Sequence, residues 1–158
     1  MLTALTVLLA QLSPLSSGWM SPESFHLSVG MMKTAALERL QSDGWKVETG
    51  KEKEQCIVHY TDSKSVTLAF QDGRVESIRF EFVDFLPQVK KAFGEQREIL
   101  AEKFGKPRTP KDSILIYDET NPNVMVVLST DHNSKFGKQG LGFLVVRYFA
   151  PDGSTQYP

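Results

Sequence analysis

Cysteine is almost absent: Cys56 is the only one in the chain, which excludes an internal disulfide and any multi-cysteine zinc or iron–sulfur centre. Surplus charge is lacking too, with 18 Lys and Arg against 19 Asp and Glu and a net charge of −1. A nucleic-acid surface needs a basic stripe to neutralise phosphates, and this balance offers none. No apolar run reaches the roughly 20 residues that a membrane-spanning helix requires. G-x-S-x-G, H-E-x-x-H and the P-loop spacing are all missing. Nothing therefore points to a cofactor or to an enzyme.

What is present is the composition of a folded domain: 158 residues, 41% apolar, 10% aromatic and 23% charged. A chain of that length buries roughly 68–70% of its unfolded surface and needs no covalent staple.

The first charged residue is Glu23. Residues 2–12 are mostly apolar and are followed by Ser13, Pro14, Ser16, Ser17 and Gly18. That is the layout of a secretory leader and its cleavage region, with Ser16 and Gly18 at −3 and −1 of a cut before Trp19. The expectation is a leader over 1–18 and a single α+β domain over 19–158, exported to the periplasm or secreted in soluble form. The basic residues that usually open a leader are missing, and the alternative is an N-terminal helix packed on the domain. A lipoprotein is not expected, because an anchoring cysteine must directly follow the apolar run.

Met32, Ala36 and Leu40 recur at helical spacing within 31–43. Gly44 supplies a left-handed stop with Trp45 folding back on Leu40, and Ser28 or Gly30 is left to cap the start. Strand patterns follow at 45–49, 56–60, 65–70 and 76–82. The last two form a hairpin closed by Gln71, Asp72 and Gly73 as a three-residue bulged loop. Val66, Leu68 and Phe70 then share a face with Ile78, Phe80 and Phe82, while Thr67, Ser77, Arg79 and Glu81 face the other way, a greasy side and a wet one. A second helix runs from Pro87 to Gly105, with Gly94 marking a kink or close contact. Strands at 114–117, 124–128 and 141–149 complete the chain. The order is α-ββββ-α-βββ, an α+β two-layer sandwich whose two helices cover one face of an antiparallel sheet. The halves 25–83 and 84–150 have a similar plan, although residue identity between them is poor.

Candidate chemistry is sparse. Cys56 and His59 lie three apart on a strand, so they point to opposite faces, and Cys56 reads as a packing residue. His26, His59 and His132 show no chelating spacing. Asp131, His132 and Asn133 begin like a calcium loop, but Lys135 stands at its fifth place. Residues 137–142 are glycine-rich without a following helix and read as a flexible connection. Arg147, Tyr148 and Phe149 read as an ordinary strand end. The long polar loop 129–140 is the expected contact surface, with Lys135, Phe136 and Lys138 as the candidate partner contacts.

Gly30-Met31, Leu40 and Gly44-Trp45, then Leu100, Phe104-Gly105-Lys106-Pro107 and Tyr117, form the pattern "G-M…L…G" followed by "L…(Y/F)-G-x-P…(W/Y)". Over residues 25–130 the chain thereby resembles small exported bacterial α/β proteins of the outer-membrane-assembly lipoprotein and β-lactamase-inhibitor-protein fold. Met32 stands where such proteins carry a Ser or Thr cap, and the lipid-anchor cysteine is lacking. The resemblance implies an exported binding or assembly protein without enzymatic activity, and it transfers no functional residue. The leading expectation is accordingly a non-enzymatic protein that binds another protein or an envelope component through its sheet face or loops. Two rivals stand beside it. One is a small hydrolase using Asp131, His132 and a strand carboxylate; the other is a ligand carrier with a pocket between sheet and helices lined by Phe70, Phe80 and Phe93.

Overall fold

Alternating strands and two glycine-stopped helices dictate the architecture. The computed structural model describes residues 17–52, 54–129 and 140–151. After a 3-10 turn at Pro22–Phe25 come α1 (Lys33–Ser42), β1 (Val47–Thr49), β2 (Gln55–Thr61), β3 (Lys64–Gln71) and β4 (Arg74–Phe85). The second half consists of α2 (Leu86–Phe104), β5 (Arg108–Lys111), β6 (Ile114–Tyr117), β7 (Asn123–Ser129) and β8 (Leu141–Phe149). The strands form one antiparallel sheet of order β1-β2-β3-β4-β8-β7-β6-β5, so the protein is α+β.

The expected order was one strand short. The missing β5 reads Arg-Thr-Pro-Lys and is exposed throughout, so neither alternation nor apolar content marks it. Its proline is tolerated because the strand lies at the sheet edge.

The β3–β4 hairpin keeps the expected sharing of faces, with Val66 opposite Phe80 and Leu68 opposite Ile78. Its turn differs from the three-residue loop. Asp72 and Gly73 alone close it, both left-handed at φ 52° and 74°, as a two-residue primed turn demands. The surplus residue moves into β4, where Ala69 faces Ser77, Phe70 faces Val75, and Glu76 bulges between them.

α1 begins at Met32 with no side-chain cap, in place of Ser28 or Gly30. Hairpin backbone does the capping: the Lys33 N–H donates to the Gly73 carbonyl at 2.8 Å, beside the Gly30–Val75 and Val75–Met31 bonds. At its other end Gly44 is left-handed, and the Trp45 and Gly44 amides donate to the Leu40 and Gln41 carbonyls at 2.9 and 3.0 Å. This is the expected Schellman stop. α2 carries Pro87 in its first turn and stops at Gly105. Gly142 on β8 is not part of a loose connection. A Cβ there would lie 3.0 Å from Leu86 Cδ1 and 3.3 Å from Val89 Cβ, so glycine is what lets α2 approach the strand.

Ala36 and Leu40 of α1 and Val89, Phe93 and Leu100 of α2 share one buried cluster with Val58, Leu68, Phe80 and Leu144. The segment before α1 is locked into it. Trp19 stacks on Tyr60 at 5.3 Å, and Phe25 lies 5.3 Å from Trp45 and 5.9 Å from Phe80. Ser17 donates through N and Oγ to Glu95 Oε2 at 3.0 and 2.7 Å, and its carbonyl accepts from Gln96 Nε2 at 2.8 Å. All three residues are buried, which explains a polar pair on the inner face of α2. The expected leader boundary at residue 18 separates Ser17 from this anchor, and residues 1–16 lie outside the described residues.

Gly94 sits inside an unbroken α2, and a Cβ there would meet nothing within 4 Å, so it makes no close contact of the kind expected. Gly94→Ala is expected to stabilise the fold by up to about 1 kcal/mol through helix propensity alone. Thermal melting reads this as a raised Tm; a lowered Tm contradicts it.

Candidate functional site on the outer sheet face

The alternation that sends Val66 and Phe80 into the core sends Thr67, Ser77, Arg79 and Glu81 to the opposite side of the sheet. That outer face is wet only across the first half. Across β6, β7 and β8 it presents Ile114, Ile116, Met125, Val127, Phe143 and Val145, and Ile116, Met125 and Phe149 form an apolar cluster of their own. The wet side expected from Thr67, Ser77, Arg79 and Glu81 holds for β3 and β4 and does not extend across β6, β7 and β8. The runs ILIY, VMVV and FLVV are apolar at consecutive positions, and such runs do not reveal which residues face the helices.

Two clefts divide the face. The apolar one, about 440 Å³, is floored by the six residues above and edged by Arg79, Arg108, Pro110, Ser129 and Arg147. The polar one, about 890 Å³, is bordered by Glu52, Gln55, His59, Thr67, Ser77 and Glu81 among others. Arg79 and Arg147 line both, marking the seam where β4 meets β8.

These two arginines are direct cross-strand partners. Like charges directly opposite one another disfavour a strand pair by up to about 1 kcal/mol. Burial lowers the readiness of the Arg147 guanidinium to hold its proton, and the Arg79 charge adds to this, while Glu76 opposes it. Glu81 Oε1 approaches Arg79 Nε to 2.8 Å, yet that buried nitrogen makes no hydrogen bond within the protein. The Arg147 guanidinium lies 5.3 Å from the Phe149 ring centre. Arg108, at the far rim, donates through Nε and Nη2 to Asp118 Oδ2 at 3.0 and 2.7 Å. Such a face can hold an apolar group beside an oxyanion. Among the described residues that line it, no nucleophile and base are in contact.

Compared with known proteins, the chain matches no family model, no curated protein and no solved structure.

The remaining candidates scatter. Cys56 is buried at 5% exposure, as expected, and burial raises its thiol pKa. His59 is exposed and lies 3.6 Å from Glu48. His26 Nδ1 lies 2.9 Å from Asp43 at the surface. Among the described residues no group of three or more His, Cys, Asp or Glu could hold a metal ion. Asp131, His132, Asn133 and the candidate contacts Lys135, Phe136 and Lys138 all fall outside the described residues. The sequence reading placed Arg79 outward but gave it no role, and it took Arg147 for an ordinary strand end. The signal was there in Arg147, a lone charge inside the otherwise apolar run Phe143 to Phe149.

Arg147 opposes a like charge, so its removal is expected to be tolerated. Arg147→Gln should leave stability within about 0.5 kcal/mol of the parent, in the range of neutral surface changes, or raise it. Urea denaturation at low salt checks this; a marked loss would mean that Arg147 is a structural residue.

Proposed function

We propose that the protein is an exported, non-enzymatic binding protein that takes another protein or an envelope component on the outer face of its sheet. The observation that carries this reading is the open apolar cleft between Ile114 and Val145, bordered by arginines and set beside a polar trough. A contiguous apolar patch rimmed by polar groups on a folded domain marks an interaction site. Both helices pack on the other side of the sheet in a two-layer arrangement, and within the cleft Ile114, Val127 and Phe143 remain partly accessible while Ile116, Met125 and Val145 are buried. The carrier alternative draws less support, because Phe70, Phe80 and Phe93 are packed into the core. Among the described residues no helix is long and apolar enough to cross a membrane. The resemblance to exported assembly and inhibitor proteins belongs to the same reading, supported by two glycine-stopped helices each followed by an antiparallel meander.

A photo-crosslinker at Phe143, introduced in the native host, tests the surface. The expected result is a discrete adduct that disappears on adding Val127→Lys, with none formed from the exposed helix position Glu102. Equal labelling from both positions, or none from Phe143, overturns the reading.

Export is tested separately. The Ser17 anchor on Glu95 and Gln96 calls for a leader that ends no later than Ser16. N-terminal sequencing of the protein recovered from its host should give a mature chain that retains Ser17. A chain beginning at Trp19 would show that the anchor is dispensable, and an intact Met1 in the cytosol would end the export proposal.

A further inference from the structure

The apolar cleft is edged by three arginines, Arg79, Arg108 and Arg147, and among the described residues no acid lines it. Arg108 is engaged by Asp118. Arg79 and Arg147 stand opposite one another at the seam, with Glu81 beside the first and Glu76 acting on the second. Two guanidiniums so placed repel each other, and an oxyanion between them would turn that repulsion into two charge-assisted contacts. The buried Arg79 Nε, ion-paired with Glu81 at 2.8 Å but making no hydrogen bond among the described residues, supplies a donor for it.

We propose that the Arg79–Arg147 pair recognises the carboxylate of an Asp or Glu on a protein partner, whose neighbouring aliphatic or aromatic side chain fills the apolar cleft. This rests on the outer sheet face being the binding surface. The cleft chooses a protein over a free lipid acid. Among the described residues it is a cleft that is not enclosed, whereas small-ligand sites enclose most of their ligand, roughly 70–90% of its surface. A protein segment brings its own bulk to cover the exposed side. Charge selects the sign of the partner and the apolar floor supplies the anchor pocket, the division of labour common at interfaces.

A random peptide library displayed on phage and selected on the full chain tests this. The enriched peptides should carry an acid within two positions of an aliphatic or aromatic residue. Synthetic copies should bind about tenfold more weakly to Arg147→Gln and to Arg79→Gln, as for loss of a desolvated charge contact. Changing the peptide acid to its amide should weaken binding to the parent protein and have little further effect on Arg147→Gln, which a merely structural arginine would not produce. Melting curves confirm that each variant is folded.

Enriched peptides without acids that still lose binding on Val127→Lys would overturn the inference and leave the outer-face reading standing. Peptides indifferent to Val127→Lys, or no enrichment at all, would count against both. Decanoate binding alone with the same arginine dependence would make the ligand a free lipid acid and overturn the commitment to a protein.

Discussion

The pairing of β4 with β8 is the constraint on which the rest depends. It runs from Ser77 opposite Phe149 to Phe85 opposite Leu141 and is the contact that makes two four-stranded meanders into one sheet. Each meander is the last part of a helix-plus-strands unit, and their final strands meet at the centre. Both helices contribute to one core cluster on the inner face. α2 lies close to the seam because Gly142 has no side chain to hold it away. The same pairing sets Arg79 against Arg147 on the outer side. A single register thus positions the helix inside and the charge pair outside, and a slip of one residue would exchange the two faces.

Much of this was legible where polar and apolar residues alternate. Val66, Leu68, Ile78 and Phe80 declare their face, and Gly44 and Gly105 declare helix ends through a conformation that suits glycine. The exposed β5 was not legible, since an edge strand of charged residues and proline carries no pattern. The Asp72-Gly73 turn shows a different limit. Composition announced a tight turn, but whether the extra residue sits in the loop or in a bulge at Glu76 depends on pairing several residues away. The start of α1 shows a third: its capping partner, the Gly73 carbonyl, belongs to a hairpin forty residues later, beyond the reach of local rules.

The outer face was the least legible part. In β6, β7 and β8 both faces are apolar for long stretches, so period-two reasoning loses its grip where the candidate site lies. The loop residues Lys135, Phe136 and Lys138, which the rule about long polar connections singles out, lie outside the described residues. Arg147 could have been found by asking why a charge interrupts a run of branched and aromatic residues. The question is sharper once Arg79 is known to stand opposite.

The two halves share topology but differ in what they turn outward, and this difference separates fold from function. Folding needs the inner faces to be apolar in both meanders, and both are. It places no such demand on the outer faces. Ile57, Thr67, Ser77 and Glu81 on one side, against Ile116, Met125, Val127 and Val145 on the other, are equally compatible with the sheet. The apolar residues there are largely buried against one another, but the opposed arginines beside them subtract stability. A charge pair that the fold does not require, and that works against the free protein, supports the proposal that a ligand is taken there. On this argument the asymmetry between the halves, rather than their common plan, points to the working surface.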